Sequence, residues 1–504
     1  LLFGKSAILG RHRDGGGAKM ADPVAWGLGI CLILFFGSLV RLTWRDRSRM
    51  ATVEQFVVAG RSFGPWASAG AMIAVWFGAE SLMSTANQVA QQGWSGAMLD
   101  PIGFAVCLVL AAATIAPKIW ERGLLTAGDL FRQAYGRSVE MAGSWVLAIS
   151  YLGWIAAQLV AFATLAEMVF GAPRVASVFA VASLAALLAA IGGLRSQEGS
   201  NALQLGVILV GLVVLLVSAL TRAGGEVFSQ GIPFHRGGWS EGIAPAVAAL
   251  LAGALGNLPM QDLVQRIAAA RSPRIAQAAC LLAAVGYMAI GCIPMLLGEL
   301  SNDLLSIDAS SPADRLTRLS NQLLHPVAQV IFLLAIVATV TSTLIGAILA
   351  PASLLGCNLA QPLWEQFAKR PMDDRTGVAF QRLAIVAMTL ISSWVACGSE
   401  TIYELLESSY SLGMVGSFVP FVAALFLKNP LPSQAAWGSM TAGILVWASL
   451  QWGPDAGWKS QWLATPMLWR SMLGELVFDP ALGGLVAALL GFFLPLWLSR
   501  RTGG

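Results

Sequence analysis

Apolar residues in this chain come in long unbroken runs, not in the stripes of an amphipathic helix or the alternation of a half-buried strand. Stretches such as VAWGLGICLILFFGSLV (24–40), VFAVASLAALLAAIGG (178–193) and ALGGLVAALLGFFLPLWL (481–498) approach or reach the roughly 20 residues that cross a hydrocarbon core about 30 Å thick. Helix is the spanning form this pattern allows, because a membrane barrel alternates polar and apolar positions. The pattern predicts an all-α polytopic membrane protein of about 13 transmembrane helices, at roughly 24–42, 63–89, 95–117, 139–170, 174–192, 199–221, 241–268, 275–298, 325–351, 379–397, 401–427, 433–451 and 479–499. No room is left for a soluble domain. Residues 24–504 are expected to form one transmembrane domain, and 1–23 are a tail whose stretch before Met20 is expected either to be an external tail or to lie ahead of the true start.

Two spans are interrupted. The second, SAGAMIAVWFGAESLMSTA, carries Gly78 and Glu80 in its middle; the seventh, AVAALLAGALGNLPMQDLVQR, carries Gly256, Asn257 and Pro259. Pro259 removes a backbone donor and clashes with the preceding turn, so a break is expected there. If the first span is set aside and the next ten form two halves of five, about 63–221 and 241–427, these two occupy corresponding places, as in a five-plus-five inverted repeat. Paired broken helices in such positions point to a binding site at the bilayer midplane. Glycine and proline are also common in ordinary membrane helices, which is the competing reading of either span alone.

Composition agrees with the pattern: 57% of residues are hydrophobic and 12% charged, too little polar surface to cover a water-soluble body of 504 residues. Basic clusters at Arg41/Arg45/Arg47/Arg49, Lys118/Arg122/Arg132/Arg137, Arg266/Arg271/Arg274, Lys369/Arg370/Arg375/Arg382 and Arg500/Arg501 all fall on one side of the expected topology. That side is expected to be cytoplasmic, in a plasma or cell inner membrane, with the N-terminus outside and the C-terminus inside. The net charge of +4 serves topology, and neither nucleic acid nor an obligate protein partner is expected. Six cysteines, Cys31, Cys107, Cys280, Cys292, Cys357 and Cys397, stand singly in apolar stretches and read as small core residues. No phosphate-binding GxxxxGK[ST] loop and no HExxH occurs, which argues against an ATP-driven pump or a membrane protease; no enzyme activity and no cofactor is expected.

Ionisable groups inside spans cost about 3 kcal/mol or more at mid-membrane, so each is a functional candidate. Glu80 lies in the first broken helix and Asp100, in MLDPIGF, near the outer end of the next span. Asp262 follows the second break and stands close in sequence to Arg266, which suggests either a structural ion pair or a gate. Glu404 and Glu407 open the eleventh span, where carboxylates are favoured electrostatically at a helix N-terminus. Trp76, one turn before Glu80, can offer its π-face to an ammonium group. In the ninth span, Thr339, Ser342 and Thr343 share one face at spacing i, i+3, i+4. They can join carbonyls freed by a broken neighbour around a hard cation such as sodium, or simply bond back to their own helix.

At these residues the chain resembles the sodium:solute symporter family. The likeness runs through EQFVVAGRSFGPWASAGAMIA, IGGLRSQEGSNALQ, QDLVQRIAAARSPRIAQAA, ATVTSTL and IYELLESSYSLGMVGSFVPFVAALF, in order and with matching spacing. The resemblance implies the leucine-transporter-type fold with an extra N-terminal helix, and cation-coupled uptake of a small organic solute by alternating access. It implies a sodium site of carbonyls at Ala74, Phe77 and Thr339 with hydroxyls at Ser342 and Thr343. It also implies a solute site among Trp76, Glu80, Ser81, Asp100, Asn257, Met260 and Gln261. Where many members carry an aspartate in the sixth span this chain has Asn201, followed by Gln204, and where they carry Asp-Ser after the hydroxyls it has Leu344, Ile345 and Gly346, so one coupling ion is expected. AVWFGAESLMSTANQV and LDPIGFAVCLVLAA look most like the high-affinity choline transporter branch, though that branch's second tryptophan is replaced by Met260. Choline, another amine or an amino acid is the expected solute; proton coupling through Glu80 or Asp100, or a membrane sensor retaining the fold, are the alternatives.

Overall fold

The computed structural model describes residues 22–47, 50–224, 243–305, 315–399, 402–428, 430–452 and 479–502. The tail expected before residue 22 and the aromatic-rich loop at 454–469 lie outside them. Every regular element is helical. The first half runs α1 (Asp22–Asp46), α2 (Val53–Val58), α3 (Pro65–Trp76), α4 (Thr85–Gln92), α5 (Phe104–Leu110), α6 (Ala116–Glu121), α7 (Ala127–Tyr135), α8 (Arg137–Phe170) and α9 (Arg174–Ala223). The second half runs α10 (Ile243–Gly256), α11 (Gln261–Ala269), α12 (Pro273–Leu304), α13 (Arg315–Leu323), α14 (Pro326–Leu354), α15 (Gln361–Ala368), α16 (Asp374–Gly398), α17 (Ile402–Gly413), α18 (Val419–Phe426), α19 (Ser433–Trp452) and α20 (Pro480–Thr502).

Local chemistry sets the helix starts. Pro65, Pro273 and Pro326 stand in the first turns of α3, α12 and α14, where a missing N–H is harmless. Thr52 with Gln55 and Thr126 with Asp129 form capping boxes that open the short helices α2 and α7. The axis of the bundle is α14: in the helical run 326–368, 89% of the most apolar stretch is buried inside the protein, against 22% for α1 at the periphery.

Among the described residues, nine helices are long and apolar enough to cross a membrane, or ten if the pair bent by 42° between Gly256 and Gln261 is one span. The expectation of thirteen differs for three physical reasons. Residues 63–89 are divided at Phe77–Ala79, so α3 alone is too short to cross. The spans expected at 174–192 and 199–221 belong to one helical run of 50 residues, broken only at Gly193, whose φ of 52° and ψ of −161° lie outside the helical region. At 1.5 Å per residue such a run exceeds one crossing. Ser433–Trp452 is a helix as expected, but its serines, threonine and glutamines dilute its hydropathy.

The two breaks are related in form. At the first, the α3 ladder stops at Trp76 and Phe77 turns to φ −79°, ψ 82°. At the second, Pro259 lies between α10 and α11, and Met260 is extended at φ −65°, ψ 137°. The helices around them approach closely through small residues: a methyl on Gly103 would lie 3.1 Å from Gly253 Cα, and one on Gly256 would meet the Tyr410 carbonyl.

Candidate functional site

The break after α3 leaves main-chain groups to be satisfied elsewhere. The Gly78 N–H, which a continuing helix would aim at Ala74 O, donates instead to Trp76 O at 3.0 Å. The Ala79 N–H, due to reach Val75 O, donates to Gln158 Oε1 of α8 at 2.9 Å. The carbonyls at the end of α3 are thereby released from their helical donors.

Facing them on α14 are the hydroxyls. Thr339, Thr341 and Ser342 each bond back to their own helix, at 2.8, 2.7 and 2.9 Å. Thr343 does not: its Oγ1 is buried and has no hydrogen-bond partner. Gly78 lies against this residue, since a methyl there would come 2.9 Å from Thr343 Cγ2. Released carbonyls thus end α3, and an unpartnered hydroxyl stands on the neighbouring α14; both are oxygens of the kind a hard cation accepts.

The carboxylates lie beside the same break, and Glu80, like Thr343, lies against Gly78. Glu80 is wholly enclosed and accepts hydrogen bonds from Trp154 Nε1 at 2.7 Å, Gln158 Nε2 at 2.6 Å and the Tyr410 hydroxyl at 3.5 Å. Asp100 accepts from Ser81 Oγ at 2.6 Å and the Tyr287 hydroxyl at 2.8 Å. Asp262, in the first turn of α11, accepts from the Trp76 indole N–H and the Tyr151 hydroxyl. Among the described residues no ion pair reaches any of the three. The expected contact of Asp262 with Arg266 is of another kind: the guanidinium donates to the Asp262 carbonyl at 2.9 Å, to Ala71 O at 3.1 Å and to Gln197 Oε1 at 3.3 Å. One helical turn separates the two residues, and the long Arg266 side chain runs across the main chain toward α3 and α9.

Aromatic rings join these carboxylates. Phe104 packs edge-on to Trp76 and to Tyr410, each at 5.2 Å between centroids, and stacks on Tyr287 at 5.7 Å. Trp154 stands 6.0 Å from Tyr410 and 5.7 Å from Tyr151. Of the predicted solute residues, Trp76, Glu80, Ser81 and Asp100 come together here. Met260 is close by, its sulfur accepting from Ser150 Oγ at 3.6 Å. Asn257 donates to Gly253 O at 2.8 Å and keeps a buried, unpartnered Oδ1. Gln261 stands apart: its amide holds Ala127 N and Leu125 O at the start of α7, at 2.8 and 3.2 Å. Sequence reasoning missed Phe104, Tyr151, Trp154, Gln158, Tyr287 and Tyr410. A signal existed, for the chain has only five tyrosines, three of them mid-helix here, and Tyr151, Trp154 and Gln158 share one face of α8.

A narrow crevice of only about 10 Å³ lies between Glu80 and Asp100 on one side and Ser84, Thr85, Gln88 and Tyr403 of α17 on the other. The opposite end of α3 is closed. Phe63 pairs its main chain with Ala269 and Arg271 at 3.0 Å each, Arg271 Nε donates to Ser62 O at 2.7 Å, and Trp120 donates to Ala270 O at 2.8 Å.

Comparison with known proteins places this geometry. The high-affinity choline transporter 1 of Caenorhabditis elegans is 25% identical over 456 residues, covering 83% of this chain and 76% of that protein. The human high affinity choline transporter 1 is 26% identical over 430 residues, covering 80% and 73%. The substrate-bound outward-open structure of a Na+-coupled sialic acid symporter shares the fold, with a TM-score of 0.68 at 14% identity over 93% of this chain and 98% of that one. The sodium:solute symporter family profile matches residues 56–443, the two breaks and the α14 hydroxyls included. The chain belongs to the sodium:solute symporter family.

Proposed function

We propose that this sodium-coupled secondary transporter takes up a small organic cation of the amine class, with choline the leading candidate. The observation that carries the reading is the enclosure itself: three carboxylates, Glu80, Asp100 and Asp262, with no ion pair among the described residues, are set among six aromatic side chains. Such rings favour an ammonium group by their quadrupoles while the carboxylates supply its counter-charge. The solute lies between the two breaks, against Trp76, Glu80, Ser81, Asp100, Asn257 and Met260; Gln261 takes no part, its amide being engaged at α7. Sodium lies at the same break, toward α14, between the carbonyls of Ala74, Phe77 and Thr339 and the hydroxyls of Ser342 and Thr343. The similarity to choline transporters supports the solute class, and Met260 in place of a second tryptophan leaves room for an amine other than choline.

The remaining topology is proposed on the same footing: thirteen crossings, repeats at about 63–221 and 241–427, the N-terminus outside and the closed Phe63–Arg271 end cytoplasmic. Sodium bound between α3 and α14 then favours one arrangement of the broken helix, and solute affinity rises with it by thermodynamic linkage.

The test is uptake into proteoliposomes of labelled choline, proline and a panel of amines, amino acids and carboxylates, under a sodium gradient, a proton gradient or neither. Amine accumulation that requires sodium and fails in Ser342→Ala/Thr343→Ala is the expected result. Carboxylate accumulation refutes the solute class. Accumulation driven by protons alone moves the coupling to Glu80 and Asp100.

A further inference from the structure

A second polar cluster lies outside the solute and sodium sites, where α7, the start of α8 and the turn Leu355–Ala360 after α14 converge. Asn358 is its hub. The amide donates to Glu140 Oε1 at 2.9 Å and to Asp129 Oδ1 at 3.1 Å, and accepts from Thr126 Oγ1 at 2.7 Å. Asp129 Oδ2 is occupied by the Leu125 and Thr126 N–H groups, at 3.0 Å each. Thr126, Glu140, Ser144 and Asn358 are all fully buried.

Two oxygens in this cluster have no partner: Glu140 Oε2 and Ser144 Oγ. Ser144 follows Glu140 by one turn, so the two share a face of α8. Gly128 places Ser144 beside the hub, because a methyl on it would run into both Ser144 Oγ and the Asn358 side chain. Other hydroxyls of α8 bond back to their helix, Ser150 to Leu147 O at 2.7 Å and Thr164 to Val160 O at 2.9 Å. Ser144 does not. Among the described residues no guanidinium comes within ion-pair distance of Glu140 or Asp129; Arg132 and Arg137 act on Glu140 only at longer range, and Arg137 is turned to Glu365 at 3.6 Å. A buried carboxylate with one bare oxygen still lacks a direct counter-charge on that oxygen.

We propose that Glu140, Ser144, Thr126 and Asn358 form a second cation site, distinct from the one at Ser342 and Thr343, that takes a monovalent alkali ion. Its charge follows from the oxygens on offer. One bare carboxylate oxygen, one bare hydroxyl and the remaining lone pairs of Asn358 and Thr126 balance a single positive charge, whereas a divalent ion calls for more free carboxylate than Asp129 leaves. The ion would clamp α7 and α8 to the chain leaving α14, the helix that carries the coupling hydroxyls.

The full-length purified protein is assayed by scintillation-proximity binding of ²²Na⁺ and ⁸⁶Rb⁺ in N-methyl-D-glucamine buffer, with Ser342→Ala/Thr343→Ala as the background that silences the coupling site. In that background saturable binding of one ion is expected to persist, to be competed by unlabelled sodium or potassium and not by calcium. Adding Glu140→Gln or Ser144→Ala should weaken it about tenfold or more, the loss of one oxygen ligand. Ser144→Ala serves if Glu140→Gln does not fold, since it removes a single unbonded hydroxyl. The proposal is overturned if the background variant binds neither isotope, if calcium displaces them, or if a folded Glu140→Gln or Ser144→Ala protein binds as the background does. Wild-type binding lost entirely in the background variant leaves the coupling site standing and removes only this one.

Discussion

Thr343→Val separates a sodium ligand from a structural hydroxyl by the sign of its effect. Valine keeps the branched shape of threonine, so packing against Gly78 is retained, and only Oγ1 is exchanged for a methyl. That oxygen is buried without a partner. An unsatisfied buried hydroxyl costs about 1–3 kcal/mol, so its removal should leave the sodium-free protein as stable as wild type or more so. Sodium binding should move the other way. Losing one of about five oxygen ligands at a similar price of about 1–3 kcal/mol lowers sodium affinity roughly 5- to 150-fold. Two measurements on one preparation read this out: the melting temperature in N-methyl-D-glucamine buffer with and without sodium, and the sodium concentration that half-saturates uptake. The expected pattern is an unchanged or raised melting temperature without sodium, a diminished sodium-induced rise, and half-saturation shifted to higher sodium. A lower sodium-free melting temperature together with an unaltered sodium response would show that Thr343 packs and does not bind.

Three further substitutions probe the neighbouring features. Glu80→Gln removes the charge and keeps one of the two acceptor oxygens that Trp154 and Gln158 use; half-saturation for the transported amine should rise about ten- to a hundredfold, the loss of roughly 1.5–3 kcal/mol, while a sodium-induced melting shift without solute is retained. Gly78→Ala puts a methyl 2.9 Å from both Glu80 Cδ and Thr343 Cγ2, so sodium binding and uptake should fall together in a protein that still purifies as a monodisperse peak. Arg266→Lys cannot reproduce a fork that reaches Ala71 O, Asp262 O and Gln197 Oε1; a loss of about 2–4 kcal/mol should appear as a lower melting temperature and yield, and an unchanged melting temperature would count against it.

What could be read from the sequence follows from how local each feature is. The apolar runs, the Pro259 break and the shared face of Thr339, Ser342 and Thr343 each depend on residues within a turn or two of one another, and all three are present as expected. The placement of Glu80 and Asp100 in one enclosure was legible because mid-membrane charge needs a reason. Their partners were not. Trp154, Tyr287 and Tyr410 lie 74, 187 and 330 residues from the carboxylates they serve, and no spacing rule spans such a distance. Asp262 and Arg266 show the opposite case: adjacency by one turn suggested an ion pair, but a long buried guanidinium takes whichever oxygens its stem reaches, here two main-chain carbonyls and the Gln197 side chain. Gln261 was placed with the solute by its position after the break, yet an amide at a helix start can equally close the neighbouring helix, here α7.

The four residues from Trp76 to Ala79 explain how two ligands can share one switch. Their groups are held from three helices: the Trp76 indole N–H by Asp262 of α11, the main-chain Trp76 O by Ser81 Oγ at 3.1 Å and by Tyr287 of α12 at 3.0 Å, and the Ala79 N–H by Gln158 of α8. The fourth neighbour, α14, touches them through Gly78 and Thr343 without a hydrogen bond, and that is the side proposed for sodium. Ser81, Tyr287 and Gln158 are also the residues that hold Asp100 and Glu80, so an ammonium group drawing on those carboxylates acts on the same hydrogen bonds that fix the break. Sodium adds the missing tie to α14, the solute retunes the other three, and each ligand changes the affinity of the other because both act on one short piece of backbone. Coupling of this kind needs no relay across the bundle. It predicts that substitutions at Gln158 or Tyr287, which hold the break directly, alter sodium affinity without solute and also change the further gain that solute brings.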